Sequence, residues 1–348
     1  MLKGKFDQAR QMSKDYLEEN PDDPRMQFNY SWHLLNAGQF NAGLQSLDVG
    51  RFIGVYGMTQ PILPGEMIYN PSQHELKGKI VLLATEGGFG DEIIHVRFAS
   101  ALAERGAKVI VCASEHLHCL FKRVVGVDQV ITTYQVRDVM KLIDYWIPAF
   151  SAGWLLGFEF DTLPSQPYIT PNATSVEMWN KVLTAAGKLK VGIRWEGNPK
   201  FEHQQFRRFP VESLLKLSKH KKDVQMYSLQ LDNYELKLPD AVADLQHLLI
   251  SWEDTAAVIA NLDLVISSCT AVAHLAAAMG KPTWVIVPIL PYHVWLPLNY
   301  MDGRGSPWYP SVRLFRQTKY DNWTAPFKML HQEFAEWVEK NRLTPNGK

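Results

Sequence analysis

The sequence predicts an α/β protein of two consecutive strand–loop–helix halves on parallel sheets, preceded by a small all-α segment. Three observations carry this. Apolar runs that end in glycine- or hydroxyl-rich turns are followed by helical periodicity, first over residues 80–105 and again from residue 190 onward. The stretch 161–172 carries three prolines and separates the two series. At 348 residues the chain also exceeds the roughly 250–300 residues at which one hydrophobic core stops growing.

Residues 1–50 come first. Gly4-Lys5-Phe6-Asp7-Gln8-Ala9 recurs as Gly38-Gln39-Phe40-Asn41-Ala42, a spacing of 34 residues. Between them lie a helix up to Glu19, a break at Asn20-Pro21-Asp22-Asp23-Pro24 and a second helix through Leu35. This resembles the tetratricopeptide helix-turn-helix repeat, whose period is 34. One and a half units cannot bury their apolar faces alone, so these helices are expected to cap the main body, or else to receive a protein partner. Residues 51–78, rich in Pro and Gly, read as a connector.

The first α/β half covers residues 79–172. Strands are expected at 80–84, 108–112 and 129–132, with helices at 91–105 and 115–124. Residues 142–156 are mostly apolar but interrupted by Pro148 and Gly153, which suggests a loop and a short helix. A helix at 176–186 opens the second half, residues 173–330. There the expected order is strand 190–195, polar loop 196–208, helix 211–218, strand 225–229, helix 252–261, strand 264–266, helix 270–279 and strand 283–287. A C-terminal helix and tail occupy 331–348. Consecutive α/β domains of this kind place loops from both on a shared cleft, where ligands bind.

Composition excludes several classes. Hydrophobic residues make up 46% and charged residues 21%, which suits a folded globular protein, and 36 basic residues balance 36 acidic ones, so nothing drives general binding to nucleic acid. Cys112, Cys119 and Cys269 lack metal-ligand spacing and are expected as free thiols in a reducing compartment. Met1-Leu2-Lys3-Gly4-Lys5-Phe6 lacks the apolar core of a signal peptide, and no apolar run spans a bilayer, so a cytoplasmic protein is expected.

Two turns carry the chemistry. Glu86-Gly87-Gly88-Phe89-Gly90-Asp91 joins a strand to a helix, where glycines allow close approach of a ligand and helix amides attract negative charge. A carboxylate there would repel a phosphate, so Asp91 suits a base facing a neutral hydroxyl; it equally suits a helix cap. The second turn, Ser267-Ser268-Cys269-Thr270-Ala271, leads into a helix whose His274 stands one turn beyond Thr270. Hydroxyls, amides and the positive helix end can hold a phosphate there, although Ser268 and Thr270 could be ordinary caps and His274 a core histidine. The loop Glu196-Gly197-Asn198-Pro199-Lys200, with Arg194, Arg207 and Arg208, offers positive charge for a leaving diphosphate, or a solvated basic loop. Trp195, Trp295, Trp308, Tyr309 and Trp323 offer aromatic surfaces or core anchors. A dinucleotide fingerprint is missing: three residues beyond Gly90 stands Ile93, not glycine.

With these elements placed, nearly the whole chain, to about Trp337, resembles the heptosyltransferase-like glycosyltransferases of the GT-B superfamily, and bacterial forms in which tetratricopeptide repeats precede that domain. The resemblance rests on Gly88-Phe89-Gly90-Asp91 with Arg97, on Asp144-Tyr145-Trp146-Ile147-Pro148 with Leu155-Leu156-Gly157, and on Gly192 to Pro199 with Arg207. Ser267 to His274 with Gly280-Lys281-Pro282, and Ser306-Pro307-Trp308-Tyr309-Pro310 with Arg313-Leu314-Phe315-Arg316-Gln317, complete it.

The resemblance implies two Rossmann-like domains facing a cleft, an acceptor mostly on the first and a nucleotide-sugar donor mostly on the second, with inversion and no essential metal. It makes Asp91 the candidate general base. Thr270, Ala271 and His274 then bind the donor diphosphate, with Ser268, Arg194 and Lys200 beside them. Gly88, Gly90 and Arg97 fall on the acceptor loop, and Asn198, Arg207 and Trp308 are further candidates. One departure stands out. The family usually has Asp before the position of Thr270, whereas this chain has Cys269, and a thiol does not replace a carboxylate as an acceptor at neutral pH.

The expected activity is therefore metal-independent transfer of a sugar from a nucleotide-sugar to an acceptor hydroxyl, with no cofactor beyond the donor substrate. The absence of an obvious Asp-x-Asp motif agrees with this. Glycan, protein and lipid-linked acceptors all fit. The alternatives are a catalytically silent scaffold for protein interaction and a nucleotide-sugar isomerase or hydrolase of the same fold.

Overall fold

The computed structural model describes residues 2–56, 63–199, 204–231 and 236–342. They form two compact bodies: Lys5–Thr170 with His293–Tyr300, and residues 2–4 with Pro171–Tyr292 and residues 301–342.

The first body begins with helices α1 (Phe6–Glu19), α2 (Pro24–Asn36) and α3 (Phe40–Phe52). The helix–break–helix pattern has a plain local cause. Asp23 accepts hydrogen bonds from the Arg25 and Met26 amides at 2.9 and 3.0 Å, and Pro24 at the first helical position needs no amide partner. Strand β1 (Ile80–Ala84) then leads through α4 (Phe89–His95) and α5 (Phe98–Glu104) to β2 (Lys108–Cys112). Helix α6 (His118–Phe121), β3 (Gln129–Ile131), α7 (Val136–Val139), β4 (Tyr145–Pro148) and α8 (Ala152–Leu155) follow. The four strands are parallel, in the order β3-β2-β1-β4. Helix α3 packs against α8, where a side chain on Gly153 would lie 2.6 Å from Leu44.

Two expectations fail here. Residues 91–105 do not form one helix: α4 and α5 are separated at Val96 and Arg97. The Arg97 Nε donates to the Ile94 carbonyl at 2.8 Å, capturing an oxygen that a continuous helix would give to a backbone amide. Residues 142–156 hold strand β4 rather than only loop and helix. Pro148, read as a breaker, closes a strand at the end of the sheet, where its missing amide is tolerated.

The second body contains α9 (Ala173–Val182), β5 (Leu189–Arg194), α10 (Gln204–Arg207), α11 (Val211–Leu215), β6 (Val224–Ser228) and β7 (Val242–Asp244). It continues with α12 (Trp252–Ala260), β8 (Leu264–Ser268), α13 (Ala271–Ala278), β9 (Thr283–Val287), β10 (Val312–Arg316) and α14 (Thr324–Arg342). Its six strands are all parallel, in the order β10-β9-β8-β5-β6-β7. Phe327, Leu330, Phe334 and Val338 form one buried stripe of α14 against the sheet core of Val191, Ile193, Leu264, Ile266 and Phe315. Each is worth about 1.5–3 kcal/mol when fully buried. Among the described residues, no helix is long and apolar enough to cross a membrane.

Candidate functional site

In the second sheet the winding direction reverses between β5 and β8, and ligands of open α/β sheets bind beyond the carboxyl ends of the strands at such a point. The loop after β5 and the Ser267–Thr270 turn after β8 meet there. Arg207 donates from Nη1 to the Cys269 carbonyl at 2.9 Å and from Nη2 to the Asn198 carbonyl at 3.4 Å. Gly197 lies between them. A Cβ at that position would stand 2.8 Å from Arg207 Nη2 and 3.1 Å from the Thr270 methyl carbon. The absence of a side chain lets the loop close onto the start of α13.

The turn is built of hydroxyls. Thr270 is the extended N-cap of α13, and its Oγ1 lies 3.1 Å from Ser267 Oγ. Ser268 Oγ is buried and has no hydrogen-bond partner among the described residues. Ala271 opens the helix, with its amides directed past the turn. His274 is buried one turn deeper, its Nδ1 3.4 Å from the Tyr309 hydroxyl. Arg194, at the end of β5, is also buried and donates to the Leu229 carbonyl at 2.6 Å. Glu196 pairs with Arg208 at 2.8 Å; burial opposes its ionisation, but the Arg208 and Gln204 hydrogen bonds hold its carboxyl below the ordinary range.

Thus Ser268, Thr270, Ala271, His274, Asn198 and Arg207 cluster around one turn, with Arg194 at the end of the neighbouring strand. Lys200 lies outside the described residues. Trp308 is buried and anchored by its amide on Ser306 Oγ at 3.1 Å; its neighbour Tyr309 supplies the side chain beside His274. Gly197 was read only as part of a turn and Tyr309 only as an aromatic surface or core anchor; here they lie beside Arg207 and His274. Their roles depend on which strands become neighbours, which local sequence does not display.

In the first body, the turn after β1 is held from within. Gly87 has φ +79°, and a Cβ there would meet Asp91 Oδ2 at 2.5 Å, so only glycine fits. Asp91, in the first turn of α4, accepts the Gly88 amide through Oδ2 at 2.8 Å. The helix-cap reading of its sequence position therefore has a geometric counterpart, and the side chain is half-buried. Gly88 is exposed at the N-cap and Gly90 lies in the helix. Arg97 serves the scaffold: besides Ile94, its guanidinium donates to the Pro164 carbonyl at 3.1 Å and the Tyr168 hydroxyl at 3.0 Å.

Glu92 and His95, both buried, back this turn. Glu92 Oε2 accepts from Thr85 Oγ1 at 3.1 Å and the Ser114 amide at 2.8 Å, and burial pushes its carboxyl up to about 7. The His95 Nδ1–H donates to the Asp91 carbonyl at 2.8 Å, and burial pushes its imidazole down to about 3, so it is neutral. Among the described residues no three His, Cys, Asp or Glu side chains gather as a metal site.

The fold is that of the GT-B heptosyltransferases, two parallel α/β sheets. The chain is similar to the glycosyl transferase family 9 protein from Veillonella parvula DSM 2008, with TM-score 0.56 and 12% identity over 78% of this chain and 99% of that one. It is similar to E. coli ADP-heptose lps heptosyltransferase II, with TM-score 0.54 and 12% identity over 76% of this chain and 99% of that one. A third similar structure is the bacterial iron-containing dodecameric glycosyltransferase TibC from enterotoxigenic E. coli H10407, at TM-score 0.52 and 12% identity, with 78% of each chain covered. Among curated proteins, Protein FlbA of Caulobacter vibrioides is 24% identical over 331 residues, 87% of this chain and 54% of that protein. The chain thus spans about half the length of the curated relative it matches. No protein-family model matches.

Proposed function

We propose that the protein is a glycosyltransferase that moves a sugar from a nucleotide-sugar donor to an acceptor hydroxyl, with inversion and without an essential metal. The observation that carries this reading is the turn at the reversal point of the second sheet. A buried Ser268 hydroxyl without a hydrogen-bond partner among the described residues, the start of α13 and the Arg207 guanidinium come together at that turn. Such a set suits a diphosphate: amides and helix dipole receive negative charge, and the arginine adds to it as the leaving group forms.

Thr270 and Ala271 would hold the diphosphate through the helix start, Ser268 would donate its hydroxyl, and His274 would support the turn from below. Arg194 and Lys200 are further cations for the donor. Cys269 contributes through its backbone carbonyl, which orients Arg207, so a thiol in place of the family's carboxylate leaves that contact intact. Asp91 would take the acceptor proton as the hydroxyl oxygen attacks the anomeric carbon, and the bond from that carbon to the diphosphate breaks. Gly88 and Gly90 allow close approach to the Asp91 turn. The acceptor class remains glycan, protein or lipid-linked. Helices α1–α3 fit a tetratricopeptide-like segment, and a cytoplasmic location suits the use of nucleotide-sugars.

The test is a panel of ADP-, UDP- and GDP-linked sugars read by thermal shift and by mass-spectrometric turnover. Donor cleavage without acceptor would favour a hydrolase or isomerase, and no binding to any member would favour a silent scaffold. Asp91→Asn can keep the hydrogen bond to Gly88, so melting temperature and donor affinity should hold while turnover falls roughly 10²–10⁴-fold. Near-wild-type turnover would reject Asp91 as the base.

A further inference from the structure

The first sheet also reverses its winding, between β1 and β4, and the chain fills that crevice itself. Glu86, just past β1, is fully buried and accepts the Phe150 amide, just past β4, at 3.1 Å. Helix α3 inserts Arg51 there, its Nε 2.7 Å and Nη2 3.0 Å from the two Glu86 oxygens, with Nη2 also 3.2 Å from Ser151 Oγ. Asp48, one turn earlier on α3, accepts from Ser151 Oγ at 2.8 Å and Trp154 Nε1 at 2.9 Å. The segment following α3 adds Tyr56, whose ring stacks on Phe150 at 4.0 Å and whose carbonyl accepts the Gly87 amide at 3.2 Å.

Consecutive residues of the Asp91 turn are therefore held by different parts of the chain. Glu86 is held by Arg51, Gly87 by the Tyr56 carbonyl and Gly88 by Asp91 itself. A charge buried as deeply as Glu86 requires a partner, and the bidentate guanidinium fixes direction as well as charge. We infer that the N-terminal helical segment stoppers the β1/β4 crevice and braces the Asp91 turn, with Arg51 a positioning residue acting through Glu86. The crevice that binds ligands in other α/β sheets is closed here by the protein's own side chains, and an acceptor must reach Asp91 from the exposed Gly88–Phe89 side of the turn. The effect on turnover rests on the reading of Asp91 as the base; the bracing does not.

Hydrogen exchange on the full chain separates the two, because the Gly87 and Gly88 amides are the donors in the braced bonds. In Arg51→Gln their exchange should rise about 10-fold or more while amides of β5 and β8 stay protected. Turnover of the donor found active in the nucleotide-sugar panel should lose about 10-fold in kcat with an unchanged donor KM, and Arg51→Lys should recover part of it. A merely structural arginine would instead raise exchange throughout the first body and would give no such split. If Arg51→Gln does not fold, Arg51→Gln/Glu86→Gln removes both charges together and should show the same local rise. Unchanged Gly87 and Gly88 exchange in either folded variant, or a rise spread evenly over the first body, overturns the brace. If Asp91→Asn turns over normally, the base assignment falls and the exchange result alone decides the brace.

Discussion

The two sheets share a parallel topology with one reversal of winding, yet the reversal points have opposite contents. Between β1 and β4 stand a buried ion pair, an aromatic stack and backbone bonds that satisfy one another. Between β5 and β8 stand a glycine-lined loop, a buried serine hydroxyl without a partner among the described residues, and the first amides of α13. Topology alone thus does not make a ligand site. It provides a place where two loops diverge, and side-chain chemistry decides whether protein or ligand completes it. Each end of the contrast can be broken separately.

The largest effect belongs to the Asp91 turn, on its β2 side next to the closed end. Glu92 is buried beside the braced turn, with its folded-state pKa near 7 against an ordinary value of 4.5. The sign follows from proton uptake. Between those two values the folded protein holds a proton that the unfolded chain has lost, so stability declines as pH rises through that window and levels off above about 7. Both recorded bonds to its carboxyl use the same oxygen, so Glu92→Gln can keep them and avoid burying a charge. Urea melts should show the variant more stable than wild type at pH 8, by up to about 3 kcal/mol, with the gain vanishing near pH 4.5. A gain independent of pH would mean that Glu92 does not titrate in that window.

At the open end, Gly197→Ala tests whether the loop must touch α13. The new Cβ would meet Arg207 Nη2 at 2.8 Å and the Thr270 methyl carbon at 3.1 Å. Moving Arg207 aside would disturb its Nη2 bond to the Asn198 carbonyl and its Nη1 bond to the Cys269 carbonyl, while Thr270 is set by the helix start. Calorimetry should show nucleoside diphosphate binding weakened about 10-fold, near 1.4 kcal/mol. The accompanying loss of stability should be about 1 kcal/mol, a melting shift of roughly 2–4 °C for a body this size. Unaltered affinity would detach the 196–199 loop from the proposed donor site.

How far the sequence revealed these differences depends on distance along the chain. Strands β1, β2, β5, β8 and β9 are apolar runs, and their positions were legible within a few residues. β4, β7 and β10 were not, because these strands at sheet ends carry Pro148, Asp244, Arg313 and Arg316, which interrupt the apolar run. The hydroxyl turn Ser267–Thr270 was visible because its parts are contiguous. Arg51 and Glu86, 35 positions apart, and Arg207 and Cys269, 62 apart, meet only because of strand order and helix docking. The break at Arg97 needed knowledge of where a buried guanidinium would find acceptors.

The smallest effect carries the sharpest contrast. Ser268 Oγ is buried and has no hydrogen-bond partner among the described residues, a state that costs about 1–3 kcal/mol for a desolvated hydroxyl. In the first sheet's crevice Glu86 is met by Arg51 and Phe150, and Ser151 by Asp48. If Ser268 is kept for a ligand, Ser268→Ala removes an unmet donor from the free protein and a hydrogen bond from the complex. Melting temperature should then stay level or rise, while nucleoside diphosphate affinity falls about 5–10-fold, on the order of 1 kcal/mol. The two readouts move in opposite directions only when the hydroxyl is idle in the free state and engaged in the bound one. A lowered melting temperature with unchanged affinity would show that Ser268 supports the fold, and the two reversal points would then differ less than their side chains suggest.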